Sequence, residues 1–492
     1  MFAPTSTPPQ IARSAVPQSD APELPAALRP VAAAAALAQG DAPRYALRID
    51  ISADGRSLTG TQTTRYINRD DVALDALLLR LYPATPALGS AMAVNTVMVD
   101  GAPVPVAPVT LNGIDDLSTI SDSAALSVAL RAPLAPGAAL TLSLAYTIAI
   151  AHNPAAGYRT FGRVGDIIAL PGAYAALAPR ANGTWLATAT PGYGDVALSE
   201  AAWFDVEITA SRAGTLVAPG VCTFDDAEAG RQRAHCVSGP QREFAFVLGP
   251  FATVTEVARL PDGDVIVESY ATRYRMAGAT NAAGYAVSAL RAYEARFGPY
   301  PYRVLRVFES PTTVGGMEYS MLAGVTDTLY DAPDSQYFEW IVAHEVAHQW
   351  WYGQVGNDPI NTPWLDESLT NFSLTFYYED VYGLAVAQVT RQHDYYSRYA
   401  LALDTYRDLP AGLPTGRYPK GSYGAFVYGK GAIFFDTVRR TVGDGAYLAW
   451  MRRYLSDQRW RIATPEDLLR AADEVGIGRV VRNAHQVWVA AR

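Results

Sequence analysis

Trp340-Ile341-Val342-Ala343-His344-Glu345-Val346-Ala347-His348-Gln349-Trp350-Trp351 is a largely apolar run carrying two histidines four positions apart. After eighteen intervening residues comes Glu367, within Trp364-Leu365-Asp366-Glu367-Ser368. On a helix, positions i and i+4 share a face, so His344 and His348 can present two imidazole nitrogens to one cation at about 2.0–2.1 Å. Glu345 then lies beside the metal without binding it. Glu367, on a second helix, supplies a third ligand and leaves the fourth corner of a tetrahedral Zn²⁺ open, which separates a catalytic from a structural zinc. The expected cofactor is one zinc ion per chain. Two histidines at helical spacing can also be ordinary packed residues. The apolar flanks favour the metal reading, because a helix running on through Gln349-Trp350-Trp351 would be buried. Of the six histidines in the chain, the other four, His152, His235, His393 and His485, form no cluster and are assigned no role.

Outward from this stretch the chain reads as two unlike halves. Residues 281–297 are rich in Ala and Tyr at helical spacing, and Gly298-Pro299-Tyr300-Pro301 breaks the pattern. Residues 304–308 and 320–325 read as strands, and the remainder as helices, one of which starts at Thr464-Pro465-Glu466-Asp467 with an N-cap Thr, Pro in the first turn and acids behind it. Before residue 273 the period is two. Tyr45, Leu47, Ile49 and Ile51 alternate with polar neighbours, Asp54-Gly55 makes a turn, and residues 58–66, 140–150, 203–209, 244–254 and 265–270 follow as strands between Gly, Pro and Asp clusters. The fold expected is therefore multidomain, β plus α+β. A flexible Ala/Pro-rich tail (1–42) precedes an N-terminal antiparallel, sandwich-like β domain (43–272), followed by a mainly helical catalytic domain (273–492).

The chain has 492 residues, half of them hydrophobic, enough for more than one core. A net charge of −9 and the lack of a basic run argue against nucleic-acid binding, which needs clustered Lys and Arg. Lysine occurs only at Lys420 and Lys430, a bias towards arginine expected of a GC-rich bacterium. Cys222 and Cys236 flank a turn-rich stretch as the arms of a hairpin would; they read either as a disulfide, in an oxidising compartment, or as two separate thiols. No apolar run reaches the length of a membrane span. Residues 31–38 are apolar but short and lack the flanks of a signal peptide, so the export signal is expected to be already missing. Together these features predict an extracytoplasmic bacterial protein, with the tail available as a tether to the cell envelope. They leave the oligomeric state open.

Three separated pieces complete the reading: Gly315-Gly316-Met317-Glu318-Tyr319, the set His344, Glu345, His348 and Glu367, and Tyr428-Gly429-Lys430-Gly431. Together they resemble the aminopeptidase N family (peptidase family M1), gluzincin metallopeptidases that include leukotriene hydrolase. That family has a G-x-M-E-N motif, HExxH with eighteen residues to the third ligand, and a tyrosine in Y-x-K-G. The resemblance spans about residues 43–490 and implies a thermolysin-like catalytic domain. It implies that Glu345 is the general base on zinc-bound water, that Tyr428 stabilises the oxyanion, and that Glu318 holds the free α-ammonium of a peptide. Gly315, Gly316 and Met317 would line the substrate's path, the glycines by letting its backbone come close, and Tyr423 is a further candidate for lining the site.

This chain departs from the pattern at Tyr319, where the family has Asn, and at Ser368, where it has Gly. The family's second amine-binding residue, from the β domain, is not identifiable in the sequence. The chain ends where the catalytic domain closes, so the helical domain that roofs the cleft in many members is expected to be lacking. The function expected is removal of N-terminal residues from peptides. Other readings are an endopeptidase or epoxide hydrolase on the same scaffold, or a non-catalytic binding module, which would have little reason to keep Glu345 and Tyr428 beside three ligands.

Overall fold

The structure, a computed structural model, describes residues 24–86, 88–152, 160–181, 183–195, 197–228 and 230–490. An N-terminal β-rich part is followed by a mainly helical part. In the β-rich part an eight-stranded sheet runs, in spatial order, Val221–Ala227, Arg231–Gln241, Ala202–Ser211, Arg44–Ile51, Ser57–Ile67, Ala139–Ala149, Ala91–Val99 and Ala102–Pro103. Two four-stranded sheets pack with it around one apolar core that includes Leu47, Ile49, Leu142, Leu144, Phe204 and Val206. The period of two does what it implies, since Tyr45, Leu47, Ile49 and Ile51 are buried and the residues between them are not. One pairing departs from the antiparallel expectation. Arg44–Ile51 lies parallel to Ala202–Ser211, with Arg44 opposite Trp203. Strands so far apart in sequence need no tight hairpin, so hairpin signals do not constrain their direction.

Cys222 and Cys236 face each other across the hairpin Val221–Ala227/Arg231–Gln241 and form a disulfide. Among the described residues no helix is long and apolar enough to cross a membrane.

The stretch 244–254, read as one strand, is two. Ala245–Gly249 belongs to a four-stranded sheet of the β-rich part, and Phe251–Ala258, after Pro250, starts a different sheet. That second sheet has five strands in the order Phe251–Ala258, Val265–Thr272, Val304–Ser310, Leu322–Thr326 and Gly316–Tyr319. Val265–Thr272 pairs in parallel with Val304–Ser310, so a division at 272/273 would cut through this sheet. Period-two patterning identifies strands but not which sheet they join.

The helix Met276–Phe297 packs on the sheet and on the helices Gln336–Ala347 and Glu367–Tyr382. Near the C-terminus Thr464 caps Pro465–Glu474 as its sequence predicts: the Asp467 N–H donates to Thr464 Oγ1 at 3.3 Å, and the Thr464 N–H donates to Asp467 at 2.8 Å.

The flexible tail expected over residues 1–42 gives way where it is described; residues 1–23 lie outside the described residues. Leu24–Ala27 and the helix Pro30–Leu37 bury Leu24, Leu28, Ala32 and Ala36 in the same core as Met276–Phe297. Arg29, 1% exposed, forms a two-pronged ion pair with buried Glu294 at 2.6 and 3.1 Å and donates to the carbonyls of Tyr300 and Gly263. An Ala- and Pro-rich composition hid this because small residues can pack closely while adding little hydrophobic period.

Candidate active site

Each functional side chain is delivered by a different kind of element. The helix Gln336–Ala347 starts at Ser335, whose side chain accepts the Phe338 N–H, and carries His344 and Glu345. It is shorter than its apolar flank suggests, and His348 is its C-cap rather than an interior residue. The His348 N–H still donates to the His344 carbonyl at 3.2 Å, so the i, i+4 geometry survives. Glu367 is the first residue of Glu367–Tyr382, where the positive end of the helix dipole favours a carboxylate, and its N–H donates to Asp366 at 2.7 Å.

His344 Nε2, His348 Nε2 and Glu367 Oε2 lie 3.1 to 3.3 Å from one another. Ligands about 2.0–2.1 Å from a tetrahedral zinc sit about 3.3–3.4 Å apart, so these three atoms already trace one face of that tetrahedron. The rings are held for the purpose. His348 Nδ1 sits 3.0 Å from the Trp351 carbonyl and 3.1 Å from Thr370 Oγ1, leaving Nε2 to face the site. His344 stacks on Trp340 with ring centroids 5.1 Å apart. The donor set and its spacing fit a zinc ion.

Burial and mutual contact also shift the charges of these groups. Burial pushes the Glu345 carboxyl well above its usual range, and Glu318 and Glu367 add to this against the opposing pull of His348. Glu318 is pushed up to about 8, chiefly by burial, with His348 opposing and Asp195 and Glu367 reinforcing. Burial lowers His344 to about 4. Burial also disfavours the charged form of His348, but the surrounding carboxylates, Glu318 first, outweigh it and raise its pKa. Glu367 moves the other way: burial would raise it, and its contacts with both histidines bring it down.

The site is a cavity of about 170 Å³ lined by the zinc-type set together with Glu318, Met317, Gly316 and Tyr428. Glu318 offers a ligand atom within 4.8 Å of those of Glu345 and His348. One oxygen of Glu345 is buried and makes no hydrogen bond. Tyr428 comes from a π-helical turn, Gly424–Lys430; its hydroxyl donates to the second oxygen of Glu367, and its carbonyl accepts from Asn371 at 2.8 Å. Ser368 stitches the same two elements by donating to the Val427 carbonyl at 2.6 Å, and Gly431 leaves room for it. The serine here is thereby accommodated by a glycine opposite.

Three expectations change. Gly315 does not line the cavity; it holds a left-handed turn at φ +104° before the strand Gly316–Tyr319, and a Cβ there would meet Ile341 at 2.7 Å. Gly316 does line it, but the space its missing side chain leaves is filled by Glu345, whose Oε1 would lie 2.3 Å from a Cβ. Gly316→Ala is therefore expected to displace the Glu345 carboxylate and cost about 10²-fold in turnover with zinc binding kept, since displacements near 1 Å can cost that much; peptide hydrolysis with parallel zinc analysis checks this. Tyr423 is buried behind the site, edge-on to Tyr193, Tyr418 and Tyr428, and positions Tyr428 instead of lining the cavity.

Asp195 and Arg398 line the cavity and were missed. Asp195 comes from the β-rich part, on a turn docked across the divide: Tyr193 donates to the Thr415 and Tyr418 carbonyls at 2.7 and 2.9 Å, and Gly194, at φ +77°, sits against Thr415. Nothing in Gly192-Tyr193-Gly194-Asp195 signals this, because its meaning lies in what it docks against.

Residues 282–488 match the peptidase family M1 domain. This part of the chain belongs to peptidase family M1. It is 25% identical over 218 residues to aminopeptidase 2 of Candida albicans, and 26% over 156 residues to a membrane alanyl aminopeptidase of Heliothis virescens. These matches cover 42% and 30% of this chain but only 23% and 15% of those proteins, so the chain matches less than a quarter of either relative. Its fold is similar to that of an M1 zinc metallopeptidase from Deinococcus radiodurans, solved alone and as a mutant bound to a Tyr-Ser-Ala substrate. The likeness has a TM-score of 0.67 at 20% identity and covers 92% of this chain and 94% of that one. The family match lies in the helical part, and the likeness of fold extends over the β-rich part as well.

Proposed function

We propose that this chain is a zinc-dependent aminopeptidase. The observation that carries the reading is a second demand for positive charge beside the three-ligand set. Glu318 and Asp195 converge on the same cavity from opposite parts of the fold, and both are buried there. A peptide's α-ammonium answers that demand, and Asp195 takes the place of the amine-binding residue that the sequence did not disclose. Anchoring the N-terminus there would put the first peptide bond beside His344, His348 and Glu367, the residues that would hold the zinc.

His344, His348 and Glu367 would hold the zinc, which when bound acts as a Lewis acid and lowers the pKa of a water from 15.7 to about 7. Glu345, with an unengaged buried oxygen facing the cavity, accepts the proton of the attacking water and returns it to the leaving amine. Tyr428 turns its hydroxyl from Glu367 to the carbonyl oxygen as that oxygen gains charge. The disulfide fits an oxidising, extracytoplasmic location in a bacterium.

The test compares a free tripeptide with its N-acetyl form. Acetylation removes the ammonium that buried Glu318 would hold, so kcat/KM is expected to fall at least about 100-fold, the worth of a lost charged hydrogen bond or two. Equal cleavage of both forms would remove the anchoring role of Glu318 and Asp195 and indicate an endopeptidase.

A further inference from the structure

The cavity is acidic at its amine-binding end, yet one guanidinium lines it. Arg398 is the only Lys or Arg among the described lining residues, and its side chain makes no ion pair and no hydrogen bond with the described residues. Three other arginines of the helical part are engaged: Arg439 holds Glu379 and Asp444, Arg275 holds Glu309 and Asp331, and Arg296 holds Asp380. A half-buried, unpaired guanidinium facing a substrate cavity lacks the anion that would satisfy it.

Its position says which anion. Arg398 also lines a second groove, of about 310 Å³, with Tyr337, Trp340, Tyr378 and Asp394. That groove contains neither Glu318 nor Asp195, so Arg398 stands where the cavity leads away from the amine anchor, on the side of the residues that follow the scissile bond. The floor between is rigid and aromatic. Tyr337 stacks on Trp340 at 6.0 Å and Trp340 on His344 at 5.1 Å, a row of rings leading from the groove to the zinc set. Asp394, the one acid in the groove, is already occupied, accepting from Trp340 Nε1 at 2.8 Å and contacting His393 at 2.8 Å.

The backbone supports the same assignment. Arg398 directly follows a π-helical turn, Gln392–Ser397, and Tyr428 lies in another, Gly424–Lys430, with the Arg398 side chain running beside Gly429. Such turns are rare and concentrate at functional sites because they re-aim side chains out of helical register. Here the two pack together and deliver two side chains to one cavity.

We infer that Arg398 binds the C-terminal carboxylate of short peptide substrates, so that this chain favours free di- and tripeptides over longer or C-terminally blocked ones. The inference rests on the aminopeptidase reading, since the amine anchor sets the direction in which the peptide lies.

The zinc-loaded protein is assayed with Ala-Ala and Ala-Ala-Ala, each as free acid and as C-terminal amide. The free acid is expected to be preferred about 10- to 100-fold in kcat/KM, mainly through KM, at one or both lengths, as one charge-assisted contact provides. In Arg398→Gln that ratio should fall to about one, and Arg398→Lys, which keeps the charge without the fork, should restore part of it. No preference at either length, or a preference that survives Arg398→Gln, overturns the inference. Alanine p-nitroanilide, which has no carboxylate, reports on the wild-type activity separately; failure to cleave it counts against the aminopeptidase reading instead. In that event calorimetric binding of Ala-Ala-Ala and its amide to the Glu345→Gln protein decides the role of Arg398 without turnover.

Discussion

Replacing Glu345 by Gln is expected to lower kcat by about 10²- to 10⁴-fold, the usual worth of a positioned general base, while the zinc content stays as in the wild type. The two effects separate because Glu345 is not one of the three atoms that trace the zinc tetrahedron, although it sits one residue from His344 on the same helix. Glutamine has nearly the same shape, so it can occupy the space against Gly316 that glutamate fills. What it cannot do is take a proton from water. The substitution should not destabilise the metal-free protein, because there burial and the charges of Glu318 and Glu367 disfavour an ionised side chain at this point, and an amide removes that repulsion. Peptide hydrolysis alongside zinc analysis measures both effects. Turnover within a few-fold of wild type would mean that another group accepts the proton.

Tyr428→Phe is expected to cost about 2.7–4 kcal/mol in the barrier, or about 10²- to 10³-fold in kcat, if the hydroxyl donates to the developing oxyanion. The structure offers a competing role, since the same hydroxyl donates to Glu367 and could simply hold that ligand in place. Removing a contact of that kind typically costs about 10- to 100-fold in metal affinity. The two roles diverge in measurement. An oxyanion donor lost from a zinc-saturated enzyme lowers kcat whatever the zinc concentration, whereas a ligand-orienting contact is recovered by adding zinc. Full recovery at high zinc would remove Tyr428 from the chemistry. The bracing of its ring by Tyr423 and of its carbonyl by Asn371 argues for a hydroxyl positioned to act.

How much of this was legible beforehand depended on the range of the interaction. His344, Glu345 and His348 are related by one helical turn, so their common face follows from local geometry alone. The buried face of Arg44–Ile51 and the capped start at Thr464 are local in the same way. Glu318 and Tyr428 needed family resemblance, because a strand and a π-helical turn are joined to the histidine helix only in space. Local rules failed where partners were distant. Arg29 looked like part of a tail until Glu294 was found beneath it, and residues 244–254 looked like one strand until Pro250 was seen to separate two sheets.

By itself, then, the sequence determined the helix that carries His344 and Glu345, the alternating strands and the hairpin on whose arms Cys222 and Cys236 lie, each a matter of residues a few positions apart or facing each other across a turn. Only the tertiary structure decided which charges share the cavity. Asp195 arrives from the β-rich part on a turn docked beneath Thr415, and Arg398 arrives beside Gly429 with no anion of its own. Both are placed by hydrogen bonds and packing between segments far apart in the chain, and their charges act strongly in the cavity only because folding removes water from around them.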